Sequence, residues 1–406
     1  MSTVSRINDK SMLVVCGDFS ADRHTGVVLS KLKELAPGLK IWGVGGPEMA
    51  ACGMEQIIDV QKLTCFGIVE VIRFLPLLAR LKHQLLMEIE NRKPSLVLLV
   101  DFAGFNLNLA KSIKKYHKEL PILYFISPQI WGSRPWRIKT ITSTISKMLV
   151  IFPFESELYR KQGISATFVG HPLARITSDS PKYLTRQEFC QKYKLDPSKP
   201  LIGVFPGSRQ QEIKDILPVI LHAISWLKSE RPDLQFAISC ASQHLTQIID
   251  SIITKSDKHK LLSQNIILVS PAESSQLMTI SDLLWAKSGT TTLEAGLLGK
   301  PMLIIYRANW LSYLLFLLFK QVQHVGWPNL LSGELVVPEL LQLDCRAEKL
   351  VKYTSDWLDV PAACQEITQT LLTVKSNLGQ GDFATSAATE ILHMLQIQHF
   401  SLSQSS

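Results

Sequence analysis

The sequence predicts an α/β protein built of two doubly wound parallel-sheet domains. Its 406 residues exceed one ordinary domain and suffice for two sizeable cores. Short apolar runs alternate with helical patterns, and this alternation is typical of parallel sheets that carry helices on both faces. The alternation stops in a stretch rich in Gly, Pro and Ser near residues 172–186 and then starts again, which predicts a linker between two domains.

The first domain begins with the strand pattern SMLVVCG and the helical pattern SADRHTGVVLSKLKELA. Four further strand patterns follow, namely KIWGVGG, SLVLLVD, PILYFIS and KMLVIFPF. We place this N-terminal domain at residues 1–173 and expect the C-terminal helices, residues 375–406, to pack back on it.

The second domain begins with the strand and loop LIGVFPGSR and the helical pattern ILPVILHAISWLKSERP. The segments LQFAISCA, NIILVS, DLLWAKSGTTTLEAGLLG and PMLIIYR complete it, and we place it at residues 187–374. Ligands of doubly wound sheets bind outside the carboxyl ends of the strands. The residues that follow each strand are therefore the first functional candidates.

The composition narrows the choice of partners. A net charge of +8 favours anionic partners such as nucleotides, phosphorylated substrates or anionic lipid surfaces. The sequence has no block of Lys and Arg residues of the kind that binds nucleic acid, so a nucleic-acid partner is not expected. The seven cysteines are scattered without a CxxC pair, so neither a metal site nor a disulfide framework is expected. The N-terminus lacks a long apolar segment, and no apolar run reaches the roughly 18–20 residues that span a bilayer. We expect a cytoplasmic protein.

Asp101 is the first candidate residue. It places a carboxylate at the end of the apolar run LVLLV, where an uncompensated charge costs several kcal/mol, roughly. A position at the carboxyl end of a strand suits a functional residue. Aspartate is also a favoured N-cap of a following helix. The residues alone leave both interpretations open.

The loop FPGSRQQEI, residues 205–213, follows a strand of the second domain. Gly207 allows a ligand to approach the backbone, Ser208 offers a hydroxyl, and Arg209 offers a planar guanidinium for two phosphate oxygens. The alternative is an ordinary strand-to-helix turn with a solvated arginine.

The segment KSGTTTLEAGLLGKP, residues 287–301, predicts a helix whose N-terminus attracts a phosphate. The small residues before and at the helix start are Ser288, Gly289, Thr290 and Thr291. Lys287 adds a positive charge, and Glu294 either binds ribose hydroxyls or completes a capping box with Thr291. Neither loop has the Walker A or GxGxxG spacing, which argues against an ATPase or a dehydrogenase.

Three other segments stay ambiguous. Residues 324–342 are broken by Pro328 and Gly333 and predict an ordered loop with polar side chains for a sugar or base. The apolar stretches 67–89 and 309–321 are either core helices or helices that dip into a membrane interface.

Together these motifs resemble the lipid-A-disaccharide synthase family, glycosyltransferases of the two-domain GT-B type, nearly from end to end. The matching motifs are CGDFSADRHTG (16–26), GVGGPEMAACG (43–53), FGIVEVI (66–72), VDFAGFN (100–106), YFISPQIWGSRPWRIKTI (124–141), IFPFE (151–155), FVGHPL (168–173), FPGSR (205–209), KSGTTTLE (287–294) and PNLLSGELVVPELLQ (328–342). The resemblance implies two Rossmann-like domains facing across a cleft.

The resemblance also implies an activity. Enzymes of this family join UDP-2,3-diacylglucosamine to 2,3-diacylglucosamine 1-phosphate, release UDP and form the β-1,6-linked disaccharide 1-phosphate with inversion. The resemblance implies a cytoplasmic protein that associates peripherally with the cytosolic surface of the inner membrane. No metal and no other cofactor is expected, and a homodimer stays open.

The resemblance assigns site residues by position. Asp101 matches the base that takes the proton from the acceptor's 6-hydroxyl, and partial burial suits this role by raising its pKa. The nucleotide-binding positions are Gly207, Ser208, Arg209, Ser288, Gly289, Thr290, Thr291, Glu294, Asn329 and Gln342; the acceptor-side positions are Asp22, His24 and Trp131.

The first motif departs from the family pattern GEASGDxHGA. Asp18 replaces the glutamate, and Ala21 and Thr25 replace glycines. The departures point to an altered acyl or sugar preference, to reduced activity or to neutral drift. The rival functions are another GT-B transferase, a UDP-sugar epimerase and a non-catalytic membrane-associated homologue.

Overall fold

The computed structural model describes residues 10–59, 68–132, 135–174, 184–256, 262, 265–307, 313, 322–379 and 382–402, with side chains except at 19, 68–74 and 397–402. The chain forms two compact units. Unit 1 comprises Met1–Pro172 and Leu378–Ser406, and unit 2 comprises Leu173–Asn377. Residues 175–183 of the predicted linker and the apolar stretch 309–321, except Tyr313, lie outside the described residues.

Unit 1 contains a seven-stranded parallel sheet of order β3-β2-β1-β4-β5-β6-β7. The strands are β1 (Ser11–Cys16), β2 (Lys40–Gly45), β3 (Glu55–Asp59), β4 (Leu96–Val100), β5 (Ile122–Phe125), β6 (Lys147–Val150) and β7 (Ala166–Phe168). The helices are α1 (Phe19–Leu35), α2 (Pro47–Ala51), α3 (Ile68–Arg92), α4 (Ala103–Tyr116), α5 (Arg137–Thr144) and α6 (Pro153–Lys161). Every residue of β4 is buried, because helices cover both faces of the sheet.

Unit 2 contains a six-stranded parallel sheet of order β10-β9-β8-β11-β12-β13. The strands are β8 (Leu201–Phe205), β9 (Gln235–Ser239), β10 (Ile266–Val269), β11 (Leu283–Lys287), β12 (Met302–Tyr306) and β13 (Glu339–Leu341). The helices are α7 (Arg186–Tyr193), α8 (Gln210–Glu230), α9 (Gln243–Ser256), α10 (Ser274–Ile280), α11 (Thr290–Leu297), α12 (Trp327–Ser332), α13 (Ala347–Asp359) and α14 (Pro361–Ser376). Short 3-10 helices span Pro271–Glu273 and Gln342–Asp344.

Each sheet reverses its strand order at one place. In unit 1 this switch point lies between β1 and β4, where Cys16 is opposite Val100. In unit 2 it lies between β8 and β11, where Phe205 is opposite Ala286. Ligands of such sheets bind beyond the carboxyl ends of the strands at the switch point. The fold therefore brings Asp18 beside Asp101 in unit 1, and the PGSR loop beside the KSGT loop in unit 2.

The last helix of the chain, α15 (Phe383–Leu402), belongs to unit 1 and packs against α1. The contact is made by a buried face of α15 that includes three alanines. Its buried residues are Ala384, Ala387, Ala388, Ile391 and Leu395, and they share one core with Val28, Leu29 and Leu32 of α1.

Helix α3 has one buried and one exposed face along its described side chains. Leu81, Leu85 and Ile89 are buried, whereas Leu75 and Met87 are exposed by 56% and 52%. Within the part of the chain that the structure describes, no helix combines the length and apolar character needed to cross a membrane.

The structure contains short elements that the sequence patterns did not predict. Edge strand β3 lies in a segment whose sequence is mostly polar, and edge strand β7 lies just before the predicted linker. Residues 324–342, predicted as an ordered loop, contain helix α12 and edge strand β13. Edge strands are short and have one partner strand, so they do not need a continuous apolar run.

Candidate functional site

Asp101 occupies the bend between β4 and α4, and its backbone is unusual. Asp101 and Phe102 both have left-handed conformations, with φ of 44° and 47°, which non-glycine residues rarely adopt. Helix α4 begins at Ala103 with Phe102 as N-cap, and no side chain caps it. The alternative interpretation of Asp101 as the helix cap is therefore wrong. Such backbone strain costs about 1–3 kcal/mol per residue and is often found at functional sites.

Three polar contacts hold this bend. The Asp101 N–H donates to the Phe125 carbonyl at 3.0 Å. The Asn106 amide donates to the Asp101 carbonyl at 2.9 Å, and the Tyr124 hydroxyl donates to the same carbonyl. Asn106 and Tyr124 are fully buried, and sequence reasoning did not select either of them. The sequence indicates them only by their polar groups, since Asn106 ends the mostly apolar motif VDFAGFN and Tyr124 begins the motif YFIS.

The Asp101 carboxyl group lies beside a second carboxyl group, that of Asp18. Burial raises the pKa of Asp101 to about 7, and electrostatic repulsion by the adjacent Asp18 and a hydrogen bond to it contribute to this rise. The Phe102 N–H and the Arg137 guanidinium partly oppose this rise in pKa. A carboxyl group with a pKa near neutral pH suits a general base.

Asp18 also starts helix α1. Its Oδ1 accepts a hydrogen bond from the Ala21 N–H at 2.7 Å, which makes Asp18 the N-cap. The two glycine replacements of this motif fit inside α1: both side chains are buried, and the Thr25 hydroxyl donates to the Ala21 carbonyl at 2.6 Å. The departures from the family pattern thus leave the helix intact.

Asp22, a predicted acceptor-side residue, is buried and accepts hydrogen bonds from three backbone N–H groups. They belong to Gly46, Glu48 and Met49, at 2.7, 3.1 and 3.3 Å. The Asp22 carboxylate thus binds the start of α2, as an acidic group at a helix N-terminus does. This is a structural role, and its contact with the acceptor stays a prediction.

Of the two other acceptor-side residues, Trp131 is buried and His24 is half-buried. Trp131 donates its Nε1–H at 3.1 Å to Glu155, a buried carboxylate that also accepts from the Ser127 hydroxyl at 2.5 Å. Burial raises the pKa of Glu155 to about 7. Burial also lowers the pKa of His24. The pKa of His171 is lowered to about 3, mainly by burial and further by the nearby His24. Glu155 and His171 were not selected from the sequence, although both lie in matched motifs.

In unit 2 the PGSR loop is shaped by a glycine. Gly207 has φ of 119°, and a Cβ at this position would lie 2.7 Å from Oε2 of Glu212. No other residue fits without a rearrangement. Ser208 is exposed, and the Arg209 side chain, 78% exposed, contacts Glu212 Oε1 through Nη1 at 3.3 Å. Both side chains thus face solvent where a phosphate can reach them.

The KSGT loop lies beside the PGSR loop because β8 and β11 are neighbours. Helix α11 begins at Thr290 after the N-cap Gly289, and no side chain caps it. Its first N–H groups therefore keep their capacity to bind an anion. Thr290 is exposed and Thr291 is half-buried. The Ser288 hydroxyl donates to the Val325 carbonyl at 3.1 Å.

Glu294 does not form the capping box with Thr291 that was one of its two interpretations. With Thr291 as N-cap the helix would start at Thr292, but it starts two residues earlier, at Thr290, and Glu294 Oε1 accepts from the Ser275 hydroxyl at 2.8 Å. The capping interpretation is wrong, and the ribose contact stays a prediction.

Asn329 and Gln342 have buried side chains. The Asn329 amide donates to the Val337 carbonyl at 2.8 Å and to Glu339 at 2.9 Å, and it accepts from the Val337 N–H at 2.9 Å. These bonds fix the segment between α12 and β13. Gln342 has a left-handed φ of 48° at the start of a 3-10 helix. Nucleotide contacts by these two residues stay predictions.

Comparisons with known proteins agree with the motifs. The profile of the family described as lipid-A-disaccharide synthetase matches residues 12–379. A lipid-A-disaccharide synthase of Geobacter sulfurreducens is 34% identical over 384 residues, covering 95% of this chain and 97% of its own.

Solved structures show the fold. A UDP-GlcNAc 2-epimerase from Neisseria meningitidis, bound to UDP-GlcNAc, superposes with a TM-score of 0.59 at 12% identity and covers 91% of this chain and 97% of its own. A glycosyltransferase from Rickettsia africae gives 0.55 at 14% identity, with coverages of 96% and 99%. At these identities the likeness concerns the fold alone, and it confirms the predicted GT-B type. The chain therefore belongs to the lipid-A-disaccharide synthase family and is a glycosyltransferase of lipid A biosynthesis.

Proposed function

We propose that this protein joins UDP-2,3-diacylglucosamine to 2,3-diacylglucosamine 1-phosphate, releases UDP and inverts the anomeric centre to form the β-1,6 linkage. The observation that carries the proposal is the Asp101 carboxyl group, with its pKa raised to about 7, on a strained bend at the switch point of unit 1. Family membership supplies the class of product.

In the proposed reaction Asp101 takes the proton of the acceptor's 6-hydroxyl. The hydroxyl oxygen attacks the anomeric carbon of the donor, the bond from that carbon to the diphosphate breaks, and its electron pair leaves with UDP. One displacement inverts the configuration. A base with a pKa close to the working pH combines adequate basicity with a substantial charged fraction.

Unit 2 is the proposed site of the leaving group. Arg209, Lys287 and the N-terminus of α11 place positive charge and N–H groups beside the PGSR and KSGT loops. Positive groups fixed in advance stabilise the negative charge that develops on a departing diphosphate. The serine and threonine side chains of the two loops are the proposed polar contacts, and Glu294 is the proposed ribose contact.

We propose further that the protein works on the cytosolic surface of the inner membrane. Both proposed substrates carry acyl chains, and the exposed face of α3 carries Leu75 and Met87 together with Arg80 and His83. Apolar side chains beside basic ones, in a chain with net charge +8, suit an anionic lipid surface.

The test is incubation of the purified protein with both proposed substrates in mixed micelles. We expect UDP release and a disaccharide phosphate of matching mass, with a β linkage by NMR. Protein carrying Asp101→Asn is the control for contaminating activity. An α-linked product would contradict the single displacement, and an epimerised UDP-sugar without disaccharide would contradict the proposed reaction.

A further inference from the structure

Glu212 places a carboxylate among the groups that are assigned to the diphosphate. Its Oε1 is 2.9 Å from Lys287 Nζ and 3.3 Å from Arg209 Nη1. Its Oε2 lies against Gly207, at 2.7 Å from the position of a hypothetical Cβ there. One carboxylate thus contacts both cations and lies beside the glycine of the PGSR loop. A negative charge beside Lys287 and Arg209 opposes the binding of a diphosphate to them.

The Glu212–Lys287 ion pair is the protected part of this cluster. Its two side chains are 15% and 16% exposed, whereas the Arg209 side chain is 78% exposed. The Lys287 ammonium group also lies 5.5 Å from the ring centre of Tyr306, and a Cβ at Gly289 would be 4.0 Å from it. A cation so far removed from water needs a negative partner. Lys287, the first residue of the KSGT loop, is thus joined by Glu212 to the start of α8, which follows the PGSR loop.

We propose that Glu212 is an internal counter-ion of the nucleotide site, which pairs with Lys287 and Arg209 until the diphosphate displaces it. The inference rests on the proposed function, because it takes UDP as the incoming anion. Binding of the diphosphate then exchanges one negative partner of Lys287 for another. Because Glu212 stays nearby and repels the bound anion, it weakens the affinity for UDP and favours release of this product.

Glu212→Gln tests the proposal, since it keeps the volume and removes the charge. We expect calorimetry to show UDP binding at least about tenfold tighter than in the unchanged protein, with a smaller gain at high salt. Binding of uridine, which has no phosphate, should stay unchanged. The matched control is Asp215→Asn on the same helix, because Asp215 bonds to Gln211 at 2.8 Å. We expect this control to change UDP affinity by less than about twofold.

Unchanged or weaker UDP binding by Glu212→Gln would overturn the inference, and Glu212 would then merely hold the two cations in place. Failure of the unchanged protein to bind UDP would instead contradict the proposed function. A thermal melt checks that the variant is folded. If it is not, Glu212→Asp serves as the second variant, because the charge then lies one methylene farther from Lys287. A smaller gain in UDP affinity is expected from it, and no gain would count against the proposal.

Discussion

The two switch points of this molecule carry opposite arrangements of charge. In unit 1, Asp18 and Asp101 bring two carboxyl groups together, and the pKa of Asp101 rises to about 7. In unit 2, Glu212 lies between Lys287 and Arg209. Like charges at close range favour the uncharged form of one group, whereas opposite charges attract each other. The same sheet topology thus pairs two carboxyl groups in one unit and joins a carboxylate to two basic side chains in the other.

The largest expected effect comes from removing the proposed base, Asp101. Asp101→Asn keeps the side-chain volume but cannot take a proton, and positioned bases contribute roughly 10²–10⁴-fold. We expect kcat to fall by about this factor, with UDP affinity unchanged by calorimetry. Near-normal kcat would show that Asp101 is not the base.

Removing a basic side chain from the switch point of unit 2 should change the affinity for UDP instead of kcat. Arg209→Ala is expected to weaken UDP binding about tenfold to a hundredfold, since hydrogen bonds to charged groups contribute about 1.5–3 kcal/mol. Arg209→Lys should restore only part of the affinity, because an ammonium group does not reproduce the planar guanidinium. Calorimetry measures both variants, and unchanged UDP affinity of the alanine variant would remove Arg209 from the site.

The raised pKa of Asp101 also predicts how stability depends on pH. Because the folded-state pKa lies above the ordinary value of 3.8, the folded protein favours the protonated carboxyl. Its contribution is fully present below pH 3.8 and is lost as the pH rises through about 7. Asp101→Asn cannot ionise, so at pH 8 we expect it to unfold at a higher temperature than the unchanged protein, by several degrees, roughly. At pH 4 calorimetric melts should show little difference. A lower melting temperature at pH 8 would contradict this.

The pH profile of kcat/KM tests whether Asp18 contributes to the raised pKa of Asp101. Asp18→Asn keeps a good N-cap for α1 but removes the neighbouring negative charge, so the pKa of Asp101 should fall. We expect kcat/KM of the unchanged protein to rise with pH through about 7 and the midpoint of the variant to lie at lower pH. Asp18→Glu, which has the family's residue, should keep the midpoint high. An unshifted midpoint in Asp18→Asn would show that Asp18 only caps the helix.

The smallest effect concerns the membrane surface. Replacing Leu75 and Met87 by serine should lower binding to anionic liposomes by about threefold or more, because buried apolar area contributes about 25 cal/mol per Å². UDP affinity and the melting temperature should stay the same, since both side chains are exposed. Val360→Ser, at a similarly exposed residue of unit 2, is the matched control. Equal loss of liposome binding in both proteins would speak against a specific role for α3.

The strands at the centre of both sheets and the loops that follow them were predictable, because continuous apolar runs such as LVLLV mark strands that are buried on both faces. The edge strands β3, β7 and β13 were missed because short, partly exposed segments have no such pattern. Asp101 was predictable as a charge at the end of an apolar run.

The partners of the site residues were not predictable in the same way. Asp18 and Asp101 are 83 positions apart in the sequence, and Glu212 and Lys287 are 75 apart. Their pairing depends on which strands are neighbours, and no local pattern states this. Glu294 shows the same limit on a smaller scale: the helix starts two residues earlier than the capping-box interpretation requires, and Glu294 contacts Ser275 instead.

The packing of α15 on α1 has a consequence for the order in which the protein matures during synthesis. Unit 1 is made of the two ends of the chain, and all of unit 2 lies between them. A ribosome that adds about 5–20 residues per second leaves the apolar face of α1 without α15 for on the order of ten seconds or more. Unit 2, which is continuous, has all of its chain available first. We therefore expect chains that end at residue 377, once released from the ribosome, to contain a protease-resistant second unit and a first unit that still binds chaperones.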